Sequence, residues 1–396
     1  MSVATAPLRD LCEEIVVGHV GPSSGHRDED GVPFLMGKNV GEGHLKLDSL
    51  ERVTPAFHQA QKKSQVHPGD VLVVRIGQSG QAAKVPESLV EANCSGLVVI
   101  KRPTKVLADY LVQFLNSPVG RQQSLAETKG STRQTLNTKS VAEAMIPVPS
   151  LTEQRRIADI LDRVDVLRAK RREVLTGLDS LAHSIFLDMF GNPATNPKGW
   201  PSKPLGQLAT KFSDGPFGSN LKSSHYTEDG IRVVRLQNIG VGTFLNTDKA
   251  FISEQHFATL KKHECLPGDV LVGTMGDPNL RACIQPEWLP IALNKADCVQ
   301  VRPDAKICNG DYLCALLNEP ETETMAHQLI LGQTRLRISM GRLRELKVPV
   351  PPINIQTAFS ERLRALQCLG HQADRSVAYL DNLFASLQHR AFQGEL

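Results

Sequence analysis

The sequence predicts an α+β protein with two repeated globular domains separated by two long helices that form an antiparallel coiled coil with a pseudo-two-fold relation. Three observations carry this. First, an ordered set of short motifs occurs twice, about 200 residues apart. Second, each copy ends in a stretch with apolar residues at alternating steps of three and four. Third, proline and glycine clusters fall at the joints between these parts. The predicted boundaries are 1–150 and 194–350 for the globular domains, and 151–193 and 351–396 for the helical segments.

The repeat begins with Gly31-Val32-Pro33 leading to Asn39, answered by Gly230-Ile231-Arg232 leading to Asn238. Pro68-Gly69-Asp70-Val71-Leu72-Val73 returns as Pro267-Gly268-Asp269-Val270-Leu271-Val272, and Arg102-Pro103 as Arg302-Pro303. Asp109-Tyr110-Leu111 returns as Asp311-Tyr312-Leu313, and Gly130, Thr132 and Arg133 as Gly332, Thr334 and Arg335. Pro147-Val148-Pro149 matches Pro349-Val350-Pro351, and Ser180-Leu181 matches Ser386-Leu387. The offset drifts only from 199 to 206, so the common order implies duplicated domains rather than a solenoid of short units.

Val71 to Ile76 and Val270 to Gly273 are compact apolar runs after a Pro-Gly-Asp turn, the pattern of turn then strand; Leu97 to Ile100 is a second buried strand. Asp109 to Asn116 and Asp311 to Asn318 read as helices with aspartate as N-cap. The Pro-Gly-Asp, Asp-Tyr-Leu and Pro-x-Pro elements sit at turn, helix start and strand end, which makes them architectural. The prolines at 147 and 149, and at 349, 351 and 352, stop the globular parts, and Thr152 is the candidate N-cap of the first long helix.

In the first helix the apolar steps include Ile157, Val164, Leu167, Leu178, Leu181 and Ile185, broken once by Arg171. In the second they include Leu363, Leu366, Val377, Leu380, Phe384 and Leu387, broken once by Gly370. Sustained a/d spacing over about four heptads argues coiled coil. Such narrow-faced helices need a partner in water, and the simplest partner is each other. About 40 residues at roughly 1.5 Å each make a rod of about 60 Å. Gly370 suits a close approach or a bend, and Arg171 an exposed edge.

Composition narrows the class. Hydrophobic content of 41% with 22% charged residues is ordinary for a globular protein. No run of eighteen apolar residues occurs, and the start lacks the basic head and apolar core of a signal peptide, so a cytoplasmic protein without a membrane span is expected. Eight dispersed cysteines without a Cys-x-x-Cys pair predict reduced thiols and no metal site. Asn192-Pro193-Ala194 and Asp277-Pro278-Asn279 lack the second proline and the aromatic of an adenine methyltransferase loop. Gly37-Lys38 is followed by Asn39, not the Ser or Thr of a P-loop. No catalytic residue is assigned, and no cofactor is expected on this chain.

A net charge of +3 leaves nucleic-acid contact to local patches. The repeated loops are the leading candidates: Lys129, Ser131, Thr132, Arg133 and Gln134, and Gln333, Thr334, Arg335 and Arg337. Arg and Gln can bond guanine and adenine edges in pairs, while Ser, Thr and Lys suit phosphates. Further candidates are Lys38, Asn39, Arg75, Gln78, Ser79 and Gln81 in the first domain. In the second they are Ser219, Asn220, Lys222, Ser223, His225, Arg235, Gln237, Asn238 and Arg281. Side chains differ between the copies while the framework repeats, as two domains reading two different sequences require and as plain drift would also leave. The alternative is a protein-interaction scaffold whose coiled coil joins two domains that bind no DNA.

The run Ile146-Pro147-Val148-Pro149, then Leu151, Glu153-Gln154 and Ile157, with a heptad helix ending near Phe190-Gly191, resembles type I restriction–modification specificity subunits. Val348-Pro349-Val350-Pro351-Pro352 with Ile353 and Gln356 resembles the same region, with Asn354-Ile355 where a Glu is usual before the Gln. The repeated Pro-Gly-Asp-Val-Leu and Gly-x-Thr-Arg elements resemble paired target-recognition domains, and the resemblance covers essentially the whole chain. It implies that each domain reads one part of a split double-stranded DNA sequence, while the helical pair serves as a ruler and docks partners. It further implies two methyltransferase subunits carrying S-adenosylmethionine and, where present, two motor–nuclease subunits using ATP and Mg, around a subunit that is itself non-catalytic.

Overall fold

The computed structural model describes residues 3–126, 135–276, 278–331 and 337–396. The chain forms two compact units, residues 1–172 with 375–396, and residues 173–374. Each unit thus contains one globular domain, part of the helix Leu151–Phe190 and part of the helix Ile353–Gln393.

In unit 1 the strands Cys12–Val17, Leu97–Pro103, Val71–Val74 and Ala82–Lys84 form an antiparallel sheet in that order. A second sheet runs Glu51–Val53, Arg27–Leu35, Ala92–Cys94, Gln65–Val66, its central pair parallel. Thr5–Pro7 pairs with Met145–Pro147, so the two ends of the globular part clasp each other. Unit 2 follows the same order: Ala209–Asp214, Cys298–Pro303, Val270–Gly273, Arg281–Ile284 in one sheet. Its other sheet runs Tyr226–Thr227, Phe251–Ile252, Ile231–Val234, Ala292–Asn294, Glu264–Cys265, and Ser202–Pro204 pairs with Lys347–Pro349.

The repeated motifs bond to one another. Tyr110 of Asp-Tyr-Leu donates its hydroxyl to the Pro147 carbonyl at 3.0 Å, and Tyr312 donates to Pro349 at 2.7 Å. Both rings are fully buried, where an unbonded hydroxyl is costly. The Asp70 carboxylate accepts the His67 and Arg102 amides, and Asp269 accepts the Leu266 amide, tying each turn shut.

Several helix starts differ from the sequence expectation. Ser150, not Thr152, caps the first long helix: its Oγ accepts the Glu153 amide. Asp109 lies inside the helix Ala108–Asn116 and pairs with Lys84 at 2.7 Å. Asn309, not Asp311, caps Gly310–Asn318, because its side chain stands just before the first turn and meets the amides of 311 and 312, whereas Asp311 is already inside the helix. The first long helix stops at Phe190. Gly191 then takes φ +80°, and Trp200 donates its indole N–H to the Phe190 carbonyl.

Along each unit the helix contacts run in opposite senses. In unit 1, Ile157 and Leu161 share a core with Ala391 and Phe392, while Arg168 meets Asp381 and Phe384. In unit 2, Phe186 and Phe190 pack on Phe359, and a Cβ on Gly370 would lie 3.9 Å from Leu178. That is ordinary van der Waals contact, so Gly370 is not demanded by close approach, and no helix break occurs there. Arg171 is exposed.

The seam assigned to helix pairing needs correction at Leu167 and Leu181. Ile157, Phe384 and Leu387 join the core of the first globular domain, and Ile185 and Leu363 that of the second. Val164 is buried, and Leu178, Leu366, Val377 and Leu380 are half-buried. Leu167 and Leu181 remain 50% and 45% exposed. A two-helix seam is too narrow to cover every apolar position, so the helix ends bury theirs against the sheets' helical layer instead.

Candidate nucleic-acid interface

In unit 1 the strand Val71–Val74 delivers the loop containing Arg75, Gln78, Ser79 and Gln81. Leu136 donates its amide to the Arg75 carbonyl at 2.9 Å, and Ile76 bridges Thr135. The chain therefore returns beside this loop immediately after the segment with Lys129, Ser131, Thr132, Arg133 and Gln134, which lies outside the described residues. Gln78 is exposed, while Ser79 is half-buried and bonds the Arg75 carbonyl. Gln81 lines a cleft of about 380 Å³ with His44, Lys46, Arg168 and Arg172.

Lys38 is exposed but paired with Glu51 at 2.6 Å, and this bond, helped by Arg27, holds the Glu51 carboxyl below its ordinary range. Asn39 is buried and its amide is taken up by backbone, a correction to its assignment. Its amide oxygen accepts the Met36 N–H and its amide nitrogen donates to the Lys46 carbonyl.

In unit 2 Ser219, Asn220, Lys222 and Ser223 stand exposed on successive turns, with His225 half-buried beside them. The His225 ring lies 4.1 Å from that of His256 and accepts the Lys222 amide. Gln237 is exposed. Arg337 pairs with Asp297 at 3.4 Å, lies over the Phe217 ring at 5.7 Å and bridges Met275. Gln333, Thr334 and Arg335 lie outside the described residues.

Three further assignments are corrected here. Asn238 is fully buried and repeats the role of Asn39, accepting the Arg235 amide and donating to the Leu245 and Asp248 carbonyls. The Arg281 guanidinium donates to the carbonyls of Leu236, Ile239, Met275 and Pro278, so it clamps backbone and has no fork left for a base. Arg235 forms a two-bond ion pair with Asp248 and leans over Tyr226, which offsets its charge. Sequence reasoning passed over Phe217, Tyr226 and Lys295, the last set over the Tyr226 ring at 5.8 Å. Their only sequence signal is an aromatic inside a polar, glycine-bearing loop.

Elsewhere the chemistry is quiet. The eight cysteines are free thiols, and burial pushes Cys94, Cys283 and Cys308 up to about 12, far from nucleophilic. Among the described residues no His, Cys, Asp and Glu cluster could hold a metal ion, and no helix is long and apolar enough to cross a membrane.

One ionisable pair ties the first long helix to the second domain: His183 Nδ1 lies 2.8 Å from Glu319, whose carboxyl burial raises to about 7. A carboxyl raised in the folded state stabilises it fully only below the unfolded value near 4.5, and that contribution is lost as pH rises through about 7. Glu319→Gln, neutral at every pH, is expected to melt higher than the parent at pH 8, with the gap shrinking toward pH 5. A gap that does not change with pH contradicts this.

Residues 4–176 match the family described as the type I restriction modification DNA specificity domain. The EcoBI specificity subunit of Escherichia coli is 25% identical over 47% of this chain, and the match spans 39% of that protein. The EcoKI specificity subunit of Escherichia coli K12 is 21% identical over 93% of this chain and 83% of its own length. The solved S subunit of the type I restriction-modification system from M. genitalium aligns over 98% of this chain and 96% of its own, with a TM-score of 0.56 at 15% identity. A chain solved in work on complex assembly and conformational transition of the type I R-M system aligns over 100% of this chain and 98% of its own, with a TM-score of 0.61 at 18% identity. The structural likenesses show the fold, and over residues 4–176, less than half of the chain, the sequence is similar to the type I restriction modification DNA specificity domain.

Proposed function

We propose that this chain reads a bipartite double-stranded DNA target for a type I restriction–modification complex. Each globular domain takes one half-site. The two long helices pair as an antiparallel coiled coil, act as the spacer, and dock two methyltransferase subunits and, where present, two motor–nuclease subunits. S-adenosylmethionine then belongs to the methyltransferase partner, ATP and Mg to the motor–nuclease, and the complex works in the cytoplasm.

One observation carries the reading. The two units repeat strand order, turn bonds and loop anchors, yet the exposed loop side chains differ. Lys38 in unit 1 corresponds to Gln237 in unit 2, and Ile76 bridging Thr135 corresponds to Met275 bridging Arg337. One frame with two surfaces is what a split, asymmetric target requires. The helix contacts, with partner numbers falling as the first helix advances, support the antiparallel pairing.

The test is binding of the assembled complex to its target as salt is raised. Affinity should fall steeply, with a log–log slope of about −0.9 per phosphate contact; a flat response contradicts phosphate contact. Arg133→Ala and Arg335→Ala should each weaken or relax one half-site by about 1–3 kcal/mol. Unchanged affinity and half-site preference in both variants removes those arginines from the interface. Leu178→Glu places a charge in the helix contact opposite Gly370 and is expected to abolish co-purification with the methyltransferase subunit. Intact assembly of that variant would mean the contact is not needed for docking.

A further inference from the structure

Two loop tips project an apolar side chain at the same place in both domains. In unit 1 the strand Cys12–Val17 ends at Gly18, and Val20 beyond it is 74% exposed. In unit 2 the strand Ala209–Asp214 ends at Gly215, and Phe217 beyond it is 44% exposed. The two glycines are anchored alike. A Cβ on Gly18 would come within 2.9 Å of the Cys94 carbonyl oxygen, and one on Gly215 within 2.4 Å of that of Asn294. Cys94 and Asn294 each end the corresponding strand, Ala92–Cys94 and Ala292–Asn294. Behind each apolar residue stands a glycine with positive φ, Gly21 at +140° and Gly218 at +58°. Backbone packing on one side and a glycine turn on the other therefore hold one apolar side chain outward.

The surroundings of Phe217 say what it meets. The Arg337 guanidinium covers the ring, and Asp297 neutralises that cation. What remains outward is an uncharged apolar edge without hydrogen-bonding capacity. Exposed Ser219, Asn220, Lys222 and Ser223 follow it in the chain, side chains that suit phosphate oxygens. Beside side chains of that kind, the apolar feature a duplex offers is the thymine 5-methyl group on the major-groove edge.

We propose that Phe217 is a specificity-determining residue that contacts a thymine methyl in the half-site read by unit 2, with Val20 in the same place in unit 1. This rests on the DNA-reading function above. The test uses the assembled complex with its methyltransferase subunit and a duplex carrying the mapped target, in which each thymine is replaced singly by deoxyuridine. Losing one buried methyl should weaken parental binding about fourfold at one position of one half-site. Phe217→Ala should bind the thymine duplex about that much more weakly, and should no longer distinguish thymine from deoxyuridine at that position alone. Val20→Ala should do the same in the other half-site. If the Phe217 variant fails to assemble, Phe217→Leu carries the same comparison and should show a reduced thymine preference. A parental complex that reads its target, with thymine preferences unchanged by Phe217→Ala or Phe217→Leu, overturns the proposal and leaves the DNA reading standing. A parental complex without sequence preference overturns both.

Discussion

Gln356→Ala is expected to destabilise unit 2 by about 3 kcal/mol or more, because three buried bonding groups lose their partner at once. The Gln356 side chain is fully buried just inside the second long helix. Its oxygen accepts the Asn309 amide at 2.8 Å, and its nitrogen donates to the carbonyls of Ile307 and Pro351 at 3.1 and 2.7 Å. One amide thus stitches the start of the helix to the loop before Gly310–Asn318. Gln154 does the same in unit 1 with two bonds, accepting the Leu107 amide and donating to Pro149. Gln154→Ala should therefore cost less, about 2 kcal/mol. Denaturant midpoints, with amide exchange to assign each transition to its unit, check both the size and the order. Equal losses, or a larger loss at Gln154, contradict the account. The pair also explains why a glutamine holds its place in both helices while Glu153 gives way to Ile355. The glutamine bonds the domain, whereas Glu153 is half-buried and its carboxylate pairs with Arg156 on its own helix.

Asp269→Ala should produce a comparably large effect, about 3–5 kcal/mol. The Asp269 carboxylate is buried and accepts from Gln300, from two N–H groups of Arg302 and from the Leu266 amide. Its removal leaves the Gln300 amide nitrogen without its acceptor in the core and strands the Arg302 charge, although Arg302 is part-exposed and solvent will recover some of the loss. The equivalent Asp70 accepts only two backbone amides, and Arg102 turns outward to Glu13. Asp70→Ala should accordingly cost about 1–3 kcal/mol. Thermal melts of the two variants side by side decide it; an Asp70 loss as large as that at Asp269 would show that the arginine pair adds nothing.

What was legible in the sequence was what is covalently local. Val71–Val73 and Val270–Val272 advertise buried strands because every side chain in the run is apolar. Pro147 and Pro349 mark a strand end because proline has no N–H to donate to the next rung of the ladder. The tyrosines of the Asp-Tyr-Leu repeats were readable as architecture, but not their bonds to Pro147 and Pro349, which lie 37 residues along the chain. The site residues were harder for the same reason. Arg281 looks like a base reader until the fold brings the Leu236 and Ile239 carbonyls, 45 and 42 residues away, onto its guanidinium. Asn39 and Asn238 repeat because a turn needs their amides, and repetition alone does not separate a turn from a reader. Phe217 escaped notice because exposure is a property of the fold, and an aromatic in a loop is read from sequence as core.

The central claim, one frame with two reading surfaces, is tested most directly by mapping adenine methylation genome-wide by long-read sequencing, in cells with and without this gene. The account predicts that methylation disappears at one motif made of two unequal parts separated by a fixed unread spacer. Methylation lost at a continuous or palindromic motif, or unchanged throughout while the methyltransferase partner is present, would contradict it.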